Sequence, residues 1–188
     1  MRPGFVGFPA PLDRFNFLYK SHYCTFPKKM LICIHRARRA LLQKYKRSVV
    51  DLVKIIMGLK GSGKTKRLVD MVRDAVNEET GDVVCIEKER KLTFDIPYQA
   101  RLIEAGTYDV GSYEFLKGLI CGVHAGNYDI THFFIDNFYK LVNDTSPESL
   151  SAFIDWLSKF AQEEKIDFVI SISADASTAP DSVRKYLI

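Results

Sequence analysis

The spacing of apolar residues predicts alternating strands and helices from Leu52 to the last residue. Short apolar runs typical of strands occupy 54–57, 82–87, 101–105, 130–136 and 167–173. Apolar residues at every third or fourth position predict helices over 66–77, 112–124 and a long segment that begins at Ser146. A short last helix is predicted from Thr178 to Ile188. This alternation predicts an α/β fold, in which a mostly parallel sheet lies between helices.

The first 51 residues show no sustained period of either kind. They carry 11 of the 27 basic residues and only two of the 23 acidic residues, Asp13 and Asp51. Their net charge is therefore +9, against −5 for the remainder of the chain. We accordingly divide the chain into a basic N-terminal extension, 1–51, and an α/β domain, 52–188.

Two interpretations of the extension remain open. A natural, mostly disordered basic segment would suit nucleic acid or an anionic membrane surface. Alternatively, the extension is upstream sequence that is not normally translated. Leu52 and Val53 can be encoded by the bacterial start codons UUG and GUG, and codons for Lys46-Arg47-Ser48 can contain a ribosome-binding core. A native chain that begins at Met1 would exclude the second interpretation.

Several function classes find no support in the sequence. No run of about 18 uncharged apolar residues exists, so no membrane span is predicted, and no signal peptide is recognisable. The four cysteines form no metal-binding spacing, which favours a reducing, cytoplasmic location. Cys85 and Cys121 lie within apolar patterns and are predicted to be buried. Two isolated histidines, His124 and His132, are predicted to be packing or surface residues.

The segment Gly58-Leu59-Lys60-Gly61-Ser62-Gly63-Lys64-Thr65 fits the pattern G-x-x-x-x-G-K-[ST]. It follows a predicted strand and opens a predicted helix, which is the context that this phosphate-binding motif requires. Its glycines let successive N–H groups point at one anion, and the helix N-terminus adds partial positive charge. Lys64 is predicted to contact the β- and γ-phosphates, and the Thr65 hydroxyl to bind Mg²⁺. The cofactors predicted are therefore ATP and Mg²⁺.

A second acidic element is the strand that ends at Asp136, which resembles a Walker B segment. Asp136 is predicted to help hold Mg²⁺. The next residue is Asn137, where many ATPases of the additional-strand class carry the glutamate that activates water. Hydrolysis by this chain is therefore an open question.

Other candidate active-site residues lie at the ends of the neighbouring predicted strands. In RecA-like ATPases the catalytic glutamate ends the strand that corresponds to 82–87, so Glu87 is the candidate general base, with Glu89 as a substitute. A polar residue on the strand beside Walker B contacts the γ-phosphate in such proteins, and here that residue is Ser171 or Ser173.

Three segments resemble a family of small P-loop proteins from Firmicutes that are described as ATP-binding or loosely as twitching-motility proteins. They are Val53–Thr65, Gly81–Glu87 and Gly126–His132, and the resemblance covers about residues 52–188. It implies a P-loop fold, ATP binding and a bacterial cytoplasm. Among P-loop folds, the RecA-like, additional-strand order is the one we favour. The chain lacks the sensory domain and the histidine-rich box of the twitching motors, so we do not infer motor function.

Four functions remain open at this stage. The first is a small NTPase or nucleotide-dependent switch, and the second is a phosphotransferase that acts on a small molecule. The third is a regulatory protein that binds ATP without hydrolysing it, which Asn137 favours. The fourth is a nucleic-acid partner role for the basic extension. The sequence does not predict the oligomeric state.

Overall fold

The computed structural model describes residues 52–78 and 81–188. The N-terminal extension lies outside the described residues. The main elements, in chain order, are β1 (Val53–Gly58), α1 (Lys64–Glu78), β2 (Asp82–Glu87), β3 (Arg101–Glu104), α2 (Tyr113–Gly126), β4 (Ile130–Ile135), α3 (Phe138–Leu141), α4 (Pro147–Glu164), β5 (Asp167–Ser173) and α5 (Asp181–Arg184). Short 3₁₀ helices span Ala105–Tyr108 and Ala176–Thr178. All five predicted strands are present, and α3 is an element that the apolar pattern did not predict.

The five strands form one parallel sheet in the order β1-β5-β4-β2-β3. Strand β5 therefore lies between β1, which precedes the glycine loop, and β4, which precedes Asp136. This is the additional-strand order that the sequence analysis favoured, and the predicted α/β P-loop fold is confirmed. Because all strands are parallel, the residues that follow β1, β2, β4 and β5 meet at one edge of the sheet.

Helices and loops cover both faces of the sheet, which gives two apolar clusters. On one face Ile55, Phe133 and Phe168 pack with residues of α2 and α4. On the other face, residues such as Cys85 pack against α1 and against Leu92 and Ile96 of the loop after β2, together with Ile56, Phe134 and Val169. Strands that are buried on both sides require nearly continuous apolar sequence, which is why the strands were recognisable.

Helices α2 and α4 each begin at a serine cap. The Ser146 hydroxyl accepts a hydrogen bond from the Ser149 N–H, and Pro147 occupies the first turn of α4. Ser112 caps α2 in the same way by accepting from the Phe115 N–H. Within the described ranges, no helix is long and apolar enough to cross a bilayer.

Two details of the sequence analysis are wrong. Cys121 is exposed, because it lies on the solvent face of α2, whereas Cys85 is buried as predicted. The last helix ends at Arg184 and does not continue to Ile188. Instead Leu187 forms a parallel bridge with Ile55, which donates its N–H to the Tyr186 carbonyl at 2.8 Å. Strand β1 lies at the edge of the sheet, so its outer N–H and C=O groups have no partner strand. The chain after Arg184 binds these groups and does not form another helical turn.

Candidate nucleotide-binding site

The glycine loop connects the carboxyl end of β1 to α1, and Lys64 is the first residue of that helix. Gly61 and Gly63 have φ angles of +88° and +80°, a region that residues with a side chain rarely adopt. The Ser62 N–H donates to the Leu59 carbonyl at 3.2 Å and closes the turn. These glycines therefore make the tight turn that brings the loop back to the helix N-terminus, where anions bind.

Lys64 is buried, although it carries a charge. Its Nζ donates to the Leu59 carbonyl at 2.8 Å and to the Ser62 Oγ at 3.4 Å. These bonds offset part of the cost of removing an ammonium from water. The Lys64 ammonium thus lies within the loop that would enclose the phosphates.

Thr65 joins the glycine loop to the end of β4. Its hydroxyl donates to both carboxylate oxygens of Asp136, at 3.2 Å to Oδ1 and 3.4 Å to Oδ2. Asp136 is buried, and its carboxylate also accepts from Ser171 Oγ and Asn137 Nδ2, both at 2.6 Å. The two residues predicted to hold Mg²⁺, which lie 71 positions apart, are therefore in direct contact.

Asn137 and Ser171 fix the orientation of Asp136. Asn137 adopts the left-handed conformation, with a φ angle of 48°. Its N–H donates to Ser171 Oγ at 2.8 Å, and its side-chain oxygen accepts from Ser173 Oγ at 3.2 Å. The register of β4 and β5, with Ile135 opposite Ile170, brings Ser171 beside Asp136. Of the two candidate serines, Ser171 is therefore the one that binds Asp136, whereas Ser173 is exposed at the rim of the site.

We expect Ser171→Ala to lower the free energy of unfolding by about 1–3 kcal/mol, because the buried Asp136 carboxylate and the partly buried Asn137 N–H lose a partner. Urea denaturation followed by the fluorescence of Trp156 would measure the change. Ser158→Ala is a suitable control, because the buried Ser158 hydroxyl donates only within its own helix, to the Asp155 carbonyl. Equal stability losses in the two variants would contradict an anchoring role for Ser171.

Glu87 is also buried at this edge of the sheet, at the end of β2. Its carboxylate accepts from the N–H groups of Lys91 at 3.1 Å and of Leu92 at 3.2 Å, so it caps the loop that follows. Burial raises the pKa of Glu87, the two amide bonds oppose that rise, and the charges of Asp136 and Glu104 add to it. The alternative base, Glu89, is exposed and pairs with Lys91. A role for Glu87 as general base stays a prediction.

Cys85 is buried in β2, two residues before Glu87. Burial raises the pKa of its thiol well above the ordinary value, and the charges of Asp136 and Glu87 raise it further. The thiol is therefore neutral at physiological pH.

The donor set at Thr65 and Asp136 fits Mg²⁺ that is bound together with phosphates. A hydroxyl and a carboxylate are oxygen ligands, and Mg²⁺ usually takes one or two protein oxygens, with phosphate and water completing its shell. Across 52–78 and 81–188, no cluster of three His, Cys, Asp or Glu residues could hold a metal ion by itself. The two histidines lie elsewhere: His132 pairs with Asp167 at 3.3 Å, and His124 with Glu164 at 3.8 Å.

The strand–loop–helix unit and the sheet order place this domain in the P-loop class with an additional strand beside β1. No protein-family model matches the chain, and no curated protein matches it. Among solved structures, it is similar to domain III of the replication initiation protein DnaA from Thermotoga maritima, with 18% identity and a TM-score of 0.39. The similarity covers 81% of this chain and 58% of the other. The resemblance to a Firmicutes family gains no support from these comparisons.

Proposed function

We propose that residues 52–188 bind Mg-ATP at the glycine loop and act as a small NTPase or nucleotide-dependent switch. The observation that carries this proposal is the contact between the Thr65 hydroxyl and the Asp136 carboxylate. It brings the two oxygen ligands to the helix N-terminus that would hold the phosphates. In this proposal Lys64 binds the β- and γ-phosphates, while Thr65 and Asp136 position the metal ion.

We expect this domain to hydrolyse ATP slowly in the conformation seen here. Asn137 has no ionisable group and cannot act as a base, and the Glu87 carboxylate is occupied by two loop amides. A base must come within hydrogen-bond reach of the attacking water. Hydrolysis through Glu87 would therefore require its carboxylate to reach the attacking water while two loop amides hold it in place.

The variant Asp136→Asn tests whether Asp136 helps to bind Mg²⁺. We expect ATP affinity in the presence of Mg²⁺ to fall by about tenfold, because the variant loses the charge that attracts the metal, and charge-assisted bonds exceed neutral ones by about 1–2 kcal/mol. With EDTA present, the variant and the original chain should bind ATP almost equally. Titration calorimetry measures both affinities. An equal loss with and without Mg²⁺ would contradict a role in metal binding.

Measurement of ADP release distinguishes ATP hydrolysis from ATP binding without hydrolysis. The full chain is incubated with Mg-ATP, and ADP release is compared between the original chain and Glu87→Gln. Slow release that Glu87→Gln abolishes would support hydrolysis with Glu87 as base. Tight binding without release would favour the regulatory ATP binder. Absence of ATP or GTP affinity at millimolar nucleotide with Mg²⁺ would refute the proposal.

A phosphotransferase is the second candidate, because a cavity of about 460 Å³ adjoins the site. Ser173 lines this cavity and also donates to Asn137, and the other walls include Met57, Tyr139, Thr145 and Pro180. Its volume is within the range of small-molecule pockets, about 300–1,000 Å³. ADP release that rises when a panel of nucleosides and sugars is added, with a phosphorylated product in the mass spectrum, would favour this function over the switch.

A further inference from the structure

The cavity of about 460 Å³ beside the ends of β1 and β5 has the composition of a small-molecule site. It adjoins the glycine loop, because its lining residue Met57 directly precedes Gly58. Four lining side chains carry hydroxyl groups, and they belong to Tyr139, Thr145, Ser173 and Thr178. The other lining residues are a methionine, two alanines and two prolines. Apolar walls with a few polar groups are typical of ligand pockets.

One wall of the cavity is the turn before α4, and hydrogen bonds hold it in place. The Asp144 carboxylate accepts from the Ser146 N–H at 2.8 Å and also from the Ser149 hydroxyl. These bonds fix the turn that contains the lining residues Thr145 and Pro147. This wall is therefore formed in the absence of a ligand.

The opposite wall, the segment after β5, is held in the same way. The Asp175 carboxylate accepts from the Ser177 N–H at 2.9 Å, and the Thr178 hydroxyl donates to the Asp175 carbonyl at 2.7 Å. Arg184 then donates to the carbonyls of Ala179 at 3.0 Å and of Ser177 at 3.1 Å. A site with walls that are already ordered binds a ligand at a lower cost in entropy.

The charge of the lining restricts the class of ligand. Among the described residues, none of those that line the cavity carries a charge. A charged ligand group that entered the cavity would lose its hydration without gaining an ion pair, which is costly. Ligand hydroxyl groups, in contrast, find hydroxyl partners in the lining. The lining therefore favours an uncharged molecule with hydroxyl groups, and the volume suits one of nucleoside size.

Ser173 connects this cavity to the Asp136 carboxylate. Its hydroxyl donates to Asn137 Oδ1 at 3.2 Å, and Asn137 Nδ2 donates to Asp136 Oδ2 at 2.6 Å. The Ser173 hydrogen is thus in use, whereas its oxygen is able to accept a hydrogen bond from a ligand hydroxyl. Hydrogen bonds in a chain polarise and strengthen one another. A ligand at Ser173 is therefore two hydrogen bonds away from Asp136.

We propose that this cavity binds an uncharged, hydroxyl-bearing small molecule of nucleoside size and that Ser173 links its occupancy to Asp136. A ligand hydroxyl donates to Ser173 Oγ and strengthens the two bonds that orient the carboxylate. The link to Mg-ATP affinity rests on the proposed function, whereas binding in the cavity does not. Because coupling between two sites is reciprocal, Mg-ATP also tightens the binding of the cavity ligand.

The binding test uses the full chain with Mg-ADP present, so that the glycine loop is occupied. The probes are thymidine, uridine and cytidine, each compared with its monophosphate by saturation-transfer NMR titration. We expect a nucleoside to bind and its monophosphate to bind at least about tenfold more weakly, because a buried phosphate has no charged partner there. Tighter binding of the monophosphates, or no binding of any nucleoside, would overturn the inference.

The variant Ala174→Leu tests whether the nucleoside lies in this cavity, because residue 174 lines it and a larger side chain fills it. We expect nucleoside affinity to fall about tenfold or more, as extra methylene groups do in an apolar pocket. Ala176→Leu is the matched control, since Ala176 is exposed and outside the lining. Thr145→Leu fills the cavity from an exposed wall and replaces Ala174→Leu if that variant does not fold. Unchanged affinity in the folded cavity variants would overturn the assignment.

The link to Asp136 is measured by titration calorimetry of Mg-ATP binding with and without saturating nucleoside. We expect the nucleoside to tighten Mg-ATP binding about fivefold, at the lower end of coupling between sites. Ser173→Ala should abolish this gain, and Ser177→Ala should retain it, because Ser177 is exposed and outside the lining. A gain that persists in Ser173→Ala, or a nucleoside that competes with ATP, would contradict the link.

The proposed function and the cavity ligand fail separately. If nucleoside binding responds to Ala174→Leu but the chain has no affinity for ATP or ADP, the proposed function is refuted and the cavity site stands. If Mg-ATP binds but no nucleoside binding responds to the cavity variants, only the cavity site is refuted.

Discussion

Replacing Lys64 by alanine is expected to weaken Mg-ATP binding by about 10- to 150-fold. The estimate is about 1.5–3 kcal/mol for hydrogen bonds from a charged donor, at 1.4 kcal/mol per factor of ten. In the structure, Lys64 Nζ lies within 2.8 Å of the Leu59 carbonyl, inside the loop that would enclose the phosphates. Titration calorimetry with ATP and Mg²⁺ measures the loss.

Lys66 provides a matched control for this prediction, since it lies two residues further along α1 and is exposed. Lys66→Ala removes the same charge from the same helix and should change ATP affinity by less than about twofold, as expected of an exposed charge that is screened by solvent. If Lys64→Ala retains affinity within twofold of the original chain, the ammonium does not contact the phosphates. Equal losses in both variants would indicate a general electrostatic effect and not a specific contact.

The local patterns of the chain predicted most of the fold. Apolar runs identified all five strands, and the glycine motif identified the loop between β1 and α1, because these signals depend on neighbouring residues. The start of α4 at Ser146 could be predicted for the same reason, since a cap acts within one helical turn. The additional-strand order came from the resemblance of Asp136 and Glu87 to family motifs, and the register of β4 with β5 confirms it.

Contacts between distant segments were not predictable in the same way. That Ser171 orients Asp136 depends on the register of two strands, which a single sequence does not encode locally. The amides that cap Glu87 depend on the path of an irregular loop. The pairing of Leu187 with Ile55 replaced a predicted helical turn, because the edge of β1 offered backbone partners that the local pattern could not reveal.

The stability of the sheet depends most on its buried aromatic residues, and Phe168 is the most informative of these. It lies on β5, which pairs with both β1 and β4, and its ring stacks on Phe133 with centroids 5.2 Å apart and an interplanar angle of 5°. Phe160 of α4 packs edge-on against it at 6.2 Å. Removal of the Phe168 ring would therefore leave a cavity between β5, an interior strand, and α4.

We expect Phe168→Ala to lower the free energy of unfolding by about 3–5 kcal/mol, the cost typical of removing a fully buried phenyl group. This is a large fraction of the 5–15 kcal/mol by which whole domains are stable, so ATP binding should weaken as the folded fraction falls. Trp156 is the single tryptophan and packs on Phe160 in the same layer, so its fluorescence during urea denaturation reports on this core. The midpoint should fall by more than 1 M, given a dependence of about 1–3 kcal/mol per molar urea.

Two control variants test whether the loss of stability in Phe168→Ala comes from the cavity. Phe168→Leu retains most of the buried volume and should cost less than about 1.5 kcal/mol, in line with conservative apolar exchanges. Phe115→Ala removes a phenyl group that is 38% exposed on α2 and should cost clearly less than Phe168→Ala, because less apolar area leaves the core. If Phe115→Ala and Phe168→Ala shift the midpoint equally, Phe168 is not packed between β5 and α4 as described, and the geometry at Asp136 that depends on β5 would lose its support.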